Sequence, residues 1–289
     1  ASYAHTLNRP EYRELAPFAF YDFNTQFVVS GRDTLKRALI KNYDLRYESF
    51  PGKGQVFSVG AFYKQFYNPI EQVSSPYADK EISFSNIPNA NLYGAELEFR
   101  YSFNSLFTKD TLTTIQKIVS RNTFFTNLTI VKSKVETKSI LGAISDSRPL
   151  QGQSPYVVNA GWLYQDVEHN FTTSVVLNRV GQRIFLVGNV NDPEIWEKAR
   201  TFLDVQIAKQ ITKNIELKVN VQNILAQDQI FYQNDDYVAH SEKGFIGRGF
   251  NNLVYGDPNN EFGYQANRDN IVWKSNFPRI FSLGLSIKL

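Results

Sequence analysis

The stretch Ile280-Phe281-Ser282-Leu283-Gly284-Leu285-Ser286-Ile287-Lys288-Leu289 alternates without a break. Phe281, Leu283, Leu285, Ile287 and Leu289 make one face; Ser282, Gly284, Ser286 and Lys288 make the other. A period of two is that of a β-strand, whose successive side chains point to opposite sides. A chain ending this way places a flat strand between an apolar medium and a polar one.

The same alternation recurs along the chain. Ile215, Leu217, Val219 and Val221 oppose Glu216, Lys218, Asn220 and Gln222. Tyr93, Ala95, Leu97, Phe99, Tyr101 and Phe103 oppose Gly94, Glu96, Glu98, Arg100 and Ser102. Tyr156, Val158, Ala160, Trp162 and Tyr164 share a face, and 43–48, 56–67, 171–179 and 202–211 read similarly. Segment 122–135 reads as a strand with either face possible. With residues 1–8, about ten strands are expected.

A soluble sandwich also alternates, so the connections decide. Short turns at 49–54, 167–170 and 212–214 alternate with long polar connections at 10–41, 69–90, 136–154, 186–200 and 233–277. The exception, 104–118, suits a short helix with Leu112, Ile115 and Ile118 or Val119 on one side. Sorting loops by end is the layout of a transmembrane barrel, with short periplasmic turns and long extracellular loops. Glu96, Glu98, Arg100, Glu216 and Lys218 cannot sit unpaired in a dry core, but a wide aqueous lumen accepts them. Tyr43, Tyr47, Tyr63, Tyr67, Tyr101, Trp162 and Tyr164 fall near segment ends, as interfacial aromatic girdles do.

Composition agrees. Aromatics are 15% and hydrophobics 42%, yet mean hydropathy is −0.34, so apolar residues are interleaved with polar ones. A formal charge of +3 gives no footprint for nucleic acid. Without Cys, neither disulfides nor thiolate chemistry is available. No apolar run approaches the roughly 18 to 20 residues of a membrane helix. Met is absent and Ala1-Ser2-Tyr3-Ala4 already reads as strand, so upstream sequence is expected. A complete ten-stranded barrel stays open as an alternative. The charged faces favour a larger barrel, because ten strands enclose a narrow lumen and open edges are not tolerated in lipid.

Five segments carry a resemblance. Asn8-Arg9-Pro10-Glu11-Tyr12-Arg13-Glu14-Leu15-Ala16-Pro17-Phe18 resembles the R-P-x-F-R-E-L strand exit of TonB-dependent receptor barrels. Asn42-Tyr43-Asp44-Leu45-Arg46-Tyr47-Glu48 resembles the strand that follows it. Asn91-Leu92-Tyr93-Gly94-Ala95-Glu96-Leu97-Glu98 is similar to the G-x-E-x-E strand, Gly152-Gln153-Ser154-Pro155-Tyr156-Val157-Val158-Asn159 to the Q-x-P-Y-x-x-N start, and Val221-Gln222-Asn223-Ile224-Leu225 to a late x-x-N-L-x element. The set covers the chain in family order. Tyr21-Asp22-Phe23 and Phe231-Tyr232-Gln233-Asn234 resemble receptors of the Bacteroidota, whereas Leu289 departs from the common terminal Phe.

The resemblance implies an all-β fold. Residues 1–289 would give about ten C-terminal strands of an antiparallel transmembrane barrel of the 22-stranded type, with the plug domain upstream. It implies an outer-membrane receptor of a Gram-negative bacterium that captures a ligand on its loops. TonB, acting through the plug, would drive import using the inner-membrane proton gradient. Implied partners are outer-membrane lipid, TonB and a small-molecule, peptide or glycan ligand, with a surface lipoprotein as a further candidate. No enzyme activity, cofactor or metal is implied. A passive porin or adhesin, and a ten-stranded outer-membrane enzyme, are the rival classes.

The longest loop, 233–277, is the expected ligand site, with Tyr232, Asp235, Asp236, Tyr237, Arg248, Tyr255, Tyr264 and Trp273 as contacts. Aromatic and amide-rich surfaces suit sugars, peptides or siderophores alike. An enzyme needs a base or nucleophile pair. Of the three His, only His240, near Asp235 and Asp236, is placed for such work, and a polar loop is the plainer reading. Asp257, Asn259, Asn260 and Glu261 offer oxygen ligands without the spacing of a known calcium loop. Gly244 to Gly249 lacks the strand–turn–helix setting of a phosphate loop.

Overall fold

The computed structural model describes all residues except 24, 76–80, 108–111, 138–146, 190–191, 234–263, 265, 267–268 and 288–289. Ten long strands form one sheet: β1 Ser2–Asn8, β2 Ala38–Ser49, β3 Val56–Tyr67, β4 Asn89–Ser102, β5 Asn122–Glu136, β6 Tyr156–Asp166, β7 Phe171–Val180, β8 Arg200–Gln210, β9 Ile215–Gln222 and β10 Ile280–Ile287. Each pairs antiparallel with its neighbour in sequence, an up-and-down meander from β1 to β10. At one end lie the connections 50–55, 103–121, 167–170 and 211–214; at the other lie 9–37, 68–88, 137–155, 181–199 and 223–279. The expected sorting by length therefore holds. The interrupted connection carries a 3-10 turn, Phe103–Leu106, and a helix, Thr114–Ser120. The latter is α2; α1 is Tyr12–Leu15.

Register keeps the two faces apart across the whole sheet. Tyr3, Tyr43, Tyr63 and Tyr93 stand directly opposite one another on β1 to β4. Further along the same face, Tyr101 opposes Phe124, and Phe124 opposes Trp162. Between these rows lie Leu45, Ala61 and Ala95, then Leu97 and Leu128. Tyr93 and Tyr101 are eight residues apart on β4, about 26 Å at ~3.3 Å per residue. A strand tilt of ~40° reduces the height to ~20 Å, the scale of the apolar band of an outer-membrane barrel, ~25 Å.

The opposite face is polar and laced with side-chain contacts. Arg46 reaches Glu48 at 2.7 Å and Glu98 at 2.9 Å, passing strand β3 where Gly60 stands opposite it. Asn42 donates to Thr6 Oγ1 at 3.0 Å, and Asn220 donates to Ser282 Oγ at 3.1 Å. On β9 and β10, Leu217 opposes Leu285 and Glu216 opposes Ser286, so the terminal alternation matches its neighbour's. Residues 288–289 of the expected strand lie outside the described residues.

Two aromatics of the polar face are matched by glycines. Phe125 stands opposite Gly161, and Phe62 stands opposite Gly94. A Cβ at either glycine would run into the phenyl ring. Adjacent Phe124 and Phe125 left the faces of β5 undecided in the sequence. The register puts Phe124 with the girdle, while Phe125 lies over a glycine on the other side.

Sequence reasoning treated the long connections as polar loops, but they fold. Ala19–Asp22, Phe27–Ser30, Glu81–Asn86 and Ile70–Ser74 form one four-stranded sheet, and Arg183–Leu186, Ile195–Glu197, Gln229–Gln233 and Asn270–Ser275 form another. Phe27, Val29, Ile82 and Phe84 of the first pack with Leu186, Ile195 and Phe231 of the second. The two sheets thus share a core, forming a crest on the ten-stranded wall. Four of the five largest fully buried side chains, Tyr232, Ile184, Leu186 and Ile195, belong to it.

Candidate functional site

The crest holds a cavity of about 400 Å³ where four long connections converge. Glu14 comes from α1, Gln72 from Ile70–Ser74, Gln151 and Gly152 from the third connection, and Arg183 and Phe185 from the second small sheet. Backbone turns set these positions. The Gln153 N–H donates to Leu150 at 3.2 Å across a turn whose third residue is Gly152. Gly152 has φ +74°, a left-handed conformation that glycine adopts without steric cost. Gln151 is thereby held between neighbours. It accepts from Gln72 N at 2.6 Å and donates to the Phe185 carbonyl at 2.6 Å.

One lining residue, Glu71, belongs to a buried ion pair. Arg148 donates to both oxygens of Glu71, at 2.6 and 3.2 Å, and the Gln151 N–H adds a bond of 2.9 Å. Arg148 is 4% exposed and Glu71 3%. A bidentate Arg–carboxylate pair with a further donor is the arrangement that makes burying two charges tolerable. A second carboxylate, Glu194, lies 4.0 Å from the same guanidinium. Burial drives its carboxyl up to about 7, against the pull of Arg148 and reinforced by Glu71. One of its oxygens, Oε2, is buried without a hydrogen bond. At the cavity mouth, Arg183 is fixed by Glu197 at 2.7 Å, and Glu197 also accepts from Gln229 at 2.7 Å. The lining thus combines amides, a carboxylate, a guanidinium and the apolar Ile70 and Phe185. That set forms hydrogen bonds and apolar contacts to a small polar ligand and contains no nucleophile–base pair.

Of the eight residues expected at the ligand site, Asp235, Asp236, Tyr237, Arg248 and Tyr255 lie outside the described residues, as do His240, the 257–261 oxygen cluster and the 244–249 glycines. The other three sit together in the crest. Tyr232 is fully buried and donates to Gln182 at 3.2 Å; burial raises its hydroxyl pKa. Its ring meets Tyr264 at 5.2 Å, under the Lys198 ammonium at 4.6 Å. Trp273 stacks on Phe231 at 4.2 Å and meets Phe185, which lines the cavity, at 5.1 Å. Sequence reasoning missed Glu71, Gln151, Arg148, Arg183 and Glu194, which are scattered over three connections. The stretch Ile70-Glu71-Gln72-Val73 does not alternate, so no periodic signal marked them.

A second cluster, Asp166, Glu168 and His169, lies at the short-turn end. Arg121 bonds both carboxylates, at 2.6 and 2.7 Å, and His169 bonds Asp166 through its backbone N–H and Nδ1 at 3.1 and 2.8 Å. Asn170 completes the turn at φ +50°. These contacts lock a hairpin.

A sheet with one girdled apolar face, one polar face and loops sorted by end defines a section of an outer-membrane-type β-barrel wall. Residues 1–224 match the family model for the TonB dependent receptor-like beta-barrel, and the chain belongs to that family. Family members are outer-membrane proteins of Gram-negative bacteria. Among curated proteins no sequence matches. Among solved structures, the copper transporter OprC matches with a TM-score of 0.57 and 16% identity, over 99% of this chain and 36% of that one. A variant of the ferric enterobactin receptor of Pseudomonas aeruginosa, in complex with enterobactin, matches at 0.52 and 14%, over 99% and 37%. The ferric yersiniabactin uptake receptor of Yersinia pestis matches at 0.52 and 14%, over 79% and 30%. The chain spans about a third of the length of these structures, and at such identities the likeness is one of fold.

Proposed function

We propose that this chain is the C-terminal part of the barrel of an outer-membrane receptor that takes up its ligand actively. The crest captures the ligand in the cavity and on the 233–277 connection. An upstream plug closes the lumen, and TonB displaces it at the expense of the inner-membrane proton gradient. The observation that carries this reading is the crest itself. A porin needs an open mouth, whereas here long connections fold over a shared core and four of them converge on a cavity. Family membership and the uptake functions named for three similar structures support the same reading.

The two end strands, β1 and β10, each pair on one side only among the described residues. Unpaired edges are excluded from lipid, which supports a larger barrel with further strands upstream. Tyr21-Asp22-Phe23 and Phe231-Tyr232-Gln233-Asn234 support a Bacteroidota origin. The mixed lining suits a small polar ligand, peptide, glycan or chelate, and a surface lipoprotein is a further candidate partner. Catalysis plays no part in this reading.

The test is uptake by cells expressing the full-length protein, offered ferric enterobactin, cupric ion and a maltooligosaccharide mixture, with and without TonB. Accumulation of a probe that disappears without TonB is the expected result. Entry that persists in the TonB-deficient strain rejects active import and favours a porin. Deleting 240–265 is expected to weaken capture of that probe while the barrel still folds; undiminished binding would place the site elsewhere.

A further inference from the structure

The helix α2 presents an apolar side that no described residue covers. Ile115 is 75% exposed and Ile118 50%, and Leu106 of the adjoining 3-10 turn is 55% exposed. Ile115 and Ile118 are three apart and share a helix side. The helix is well ended despite its seven residues. Thr113 and Gln116 form a reciprocal capping box, with bonds of 3.4 and 2.9 Å. At the other end Asn122 donates to the carbonyls of Ile118 and Val119, at 2.7 and 3.1 Å. A helix so firmly fixed, with an apolar side left open among the described residues, calls for something to lie against it.

Its attachment indicates which partner. Asn122 begins β5 and stands opposite Tyr164 on the girdle face. Its side-chain oxygen accepts from the Trp162 indole at 2.7 Å. Trp162, Asn122 and the last carbonyls of α2 therefore form one chain of hydrogen bonds. It ties the helix to the edge of the aromatic band, at the end carrying the short turns. The charged residues pair with the neighbouring hairpin and Lys117 keeps its contact with water: Lys117 pairs with Glu168 at 3.5 Å, both about half exposed, and Arg121 with Asp166 and Glu168. Down β4, Phe99, Tyr101 and Phe103 make successive ring contacts at 6.2 and 5.3 Å, carrying the girdle to the 3-10 turn.

We propose that α2 is a membrane-surface helix, with Ile115, Ile118 and Leu106 inserted at the acyl-chain boundary of the leaflet on the short-turn side. The occupant is lipid because the apolar patch continues the girdle, and an aromatic band marks the membrane–water boundary. Interfacial helices bury such an apolar side a few ångströms below the headgroups while polar groups stay above. The helix fixes the height and tilt of the β4–β5 hairpin in the bilayer. This rests on the wall being a membrane barrel, and the experiment separates the two claims.

The full-length receptor, with any native cysteine replaced by serine, is reconstituted in phosphatidylethanolamine–phosphatidylglycerol vesicles. A single cysteine is introduced as Ile118→Cys, Lys117→Cys or Leu285→Cys and labelled with an environment-sensitive fluorophore. The expected result is strong quenching of the position-118 label by lipids carrying a nitroxide high on the acyl chain, and severalfold weaker quenching by aqueous iodide. The position-117 label shows the reverse, and the position-285 label is quenched by lipid alone. If position 118 is as open to iodide as position 117 while position 285 meets lipid, the helix proposal fails and the barrel stands. If position 285 is also open to iodide, both fail. Protection of position 118 from both quenchers means a protein partner and overturns the proposal.

Discussion

The wall and the crest are built from the same kinds of residue, but they are held by different means. The wall is one sheet whose apolar side chains are largely exposed: Leu45, Tyr47, Phe281, Leu283 and Leu285 are each more than 60% open. Its two faces meet two media, and cohesion within it comes from the strand ladder and from whatever surrounds it. The crest turns its apolar residues on one another, with Ile184 and Tyr232 at 0% exposure. It also encloses an ion pair that the wall would leave half-solvated. A charge pair on the wall's polar face costs little to lose; in the crest it is structural. Capture asks for the second kind of construction, because a binding cavity must keep its shape in water.

The largest effect that would break this comparison concerns the buried pair. Replacing Arg148 by Ala strands Glu71 and is expected to cost the crest about 3–5 kcal/mol. The wall change Arg46→Ala should cost less than ~1 kcal/mol, because that pair is exposed. Hydrogen exchange on the small-sheet peptides of the full-length protein reads the first, and the β2 peptides read the second. Comparable losses at both sites would erase the distinction.

Within the wall, the faces differ by what they touch. Leu285→Arg is expected to destabilise insertion by roughly 2–4 kcal/mol if lipid lies against it near mid-bilayer. Ser286→Arg, on the polar face, should cost far less. Folding titrations into lipid vesicles measure both, and equal penalties would mean the faces are assigned wrongly.

A smaller effect sharpens the electrostatics of the crest. Burial raises the Glu194 carboxyl from 4.5 to about 7. The native crest therefore holds a proton that the unfolded chain releases. Between pH 4.5 and pH 7 stability falls as pH rises, and below and above that window this group contributes no slope. At ~1.4 kcal/mol per pH unit the whole drop is on the order of 3 kcal/mol. Glu194→Gln should remove the slope and stabilise the crest at pH 8. A variant with the parent's pH profile would show that another group titrates.

Much of the wall was legible because a strand between two media must alternate; ten strands were expected and ten are found, starting within five residues of the expected positions, though the faces of β5 were not readable. β9 and the start of β10 fall where their patterns place them. The exception at 104–118 contains the helix that Ile115 and Ile118 suggested. The crest was not legible for a physical reason. Its strands are three to six residues long, too short for a period to stand out. Its core is also assembled from four connections far apart in sequence, and Arg148 finds Glu71 across 77 positions. Tyr232 and Trp273 were singled out as exposed-loop aromatics, yet they pack inward, since an aromatic-rich loop signals either a contact surface or a core. Only the pairing of Gln229–Gln233 with Asn270–Ser275 tells these apart.

The central claim is that this wall encloses a closed, energised import route. Current through the full-length protein in a planar lipid bilayer tests it most directly. The account predicts a barrel that inserts without steady conductance, because the plug fills the lumen. A stable open channel from the intact protein would contradict it and return the molecule to the class of passive pores.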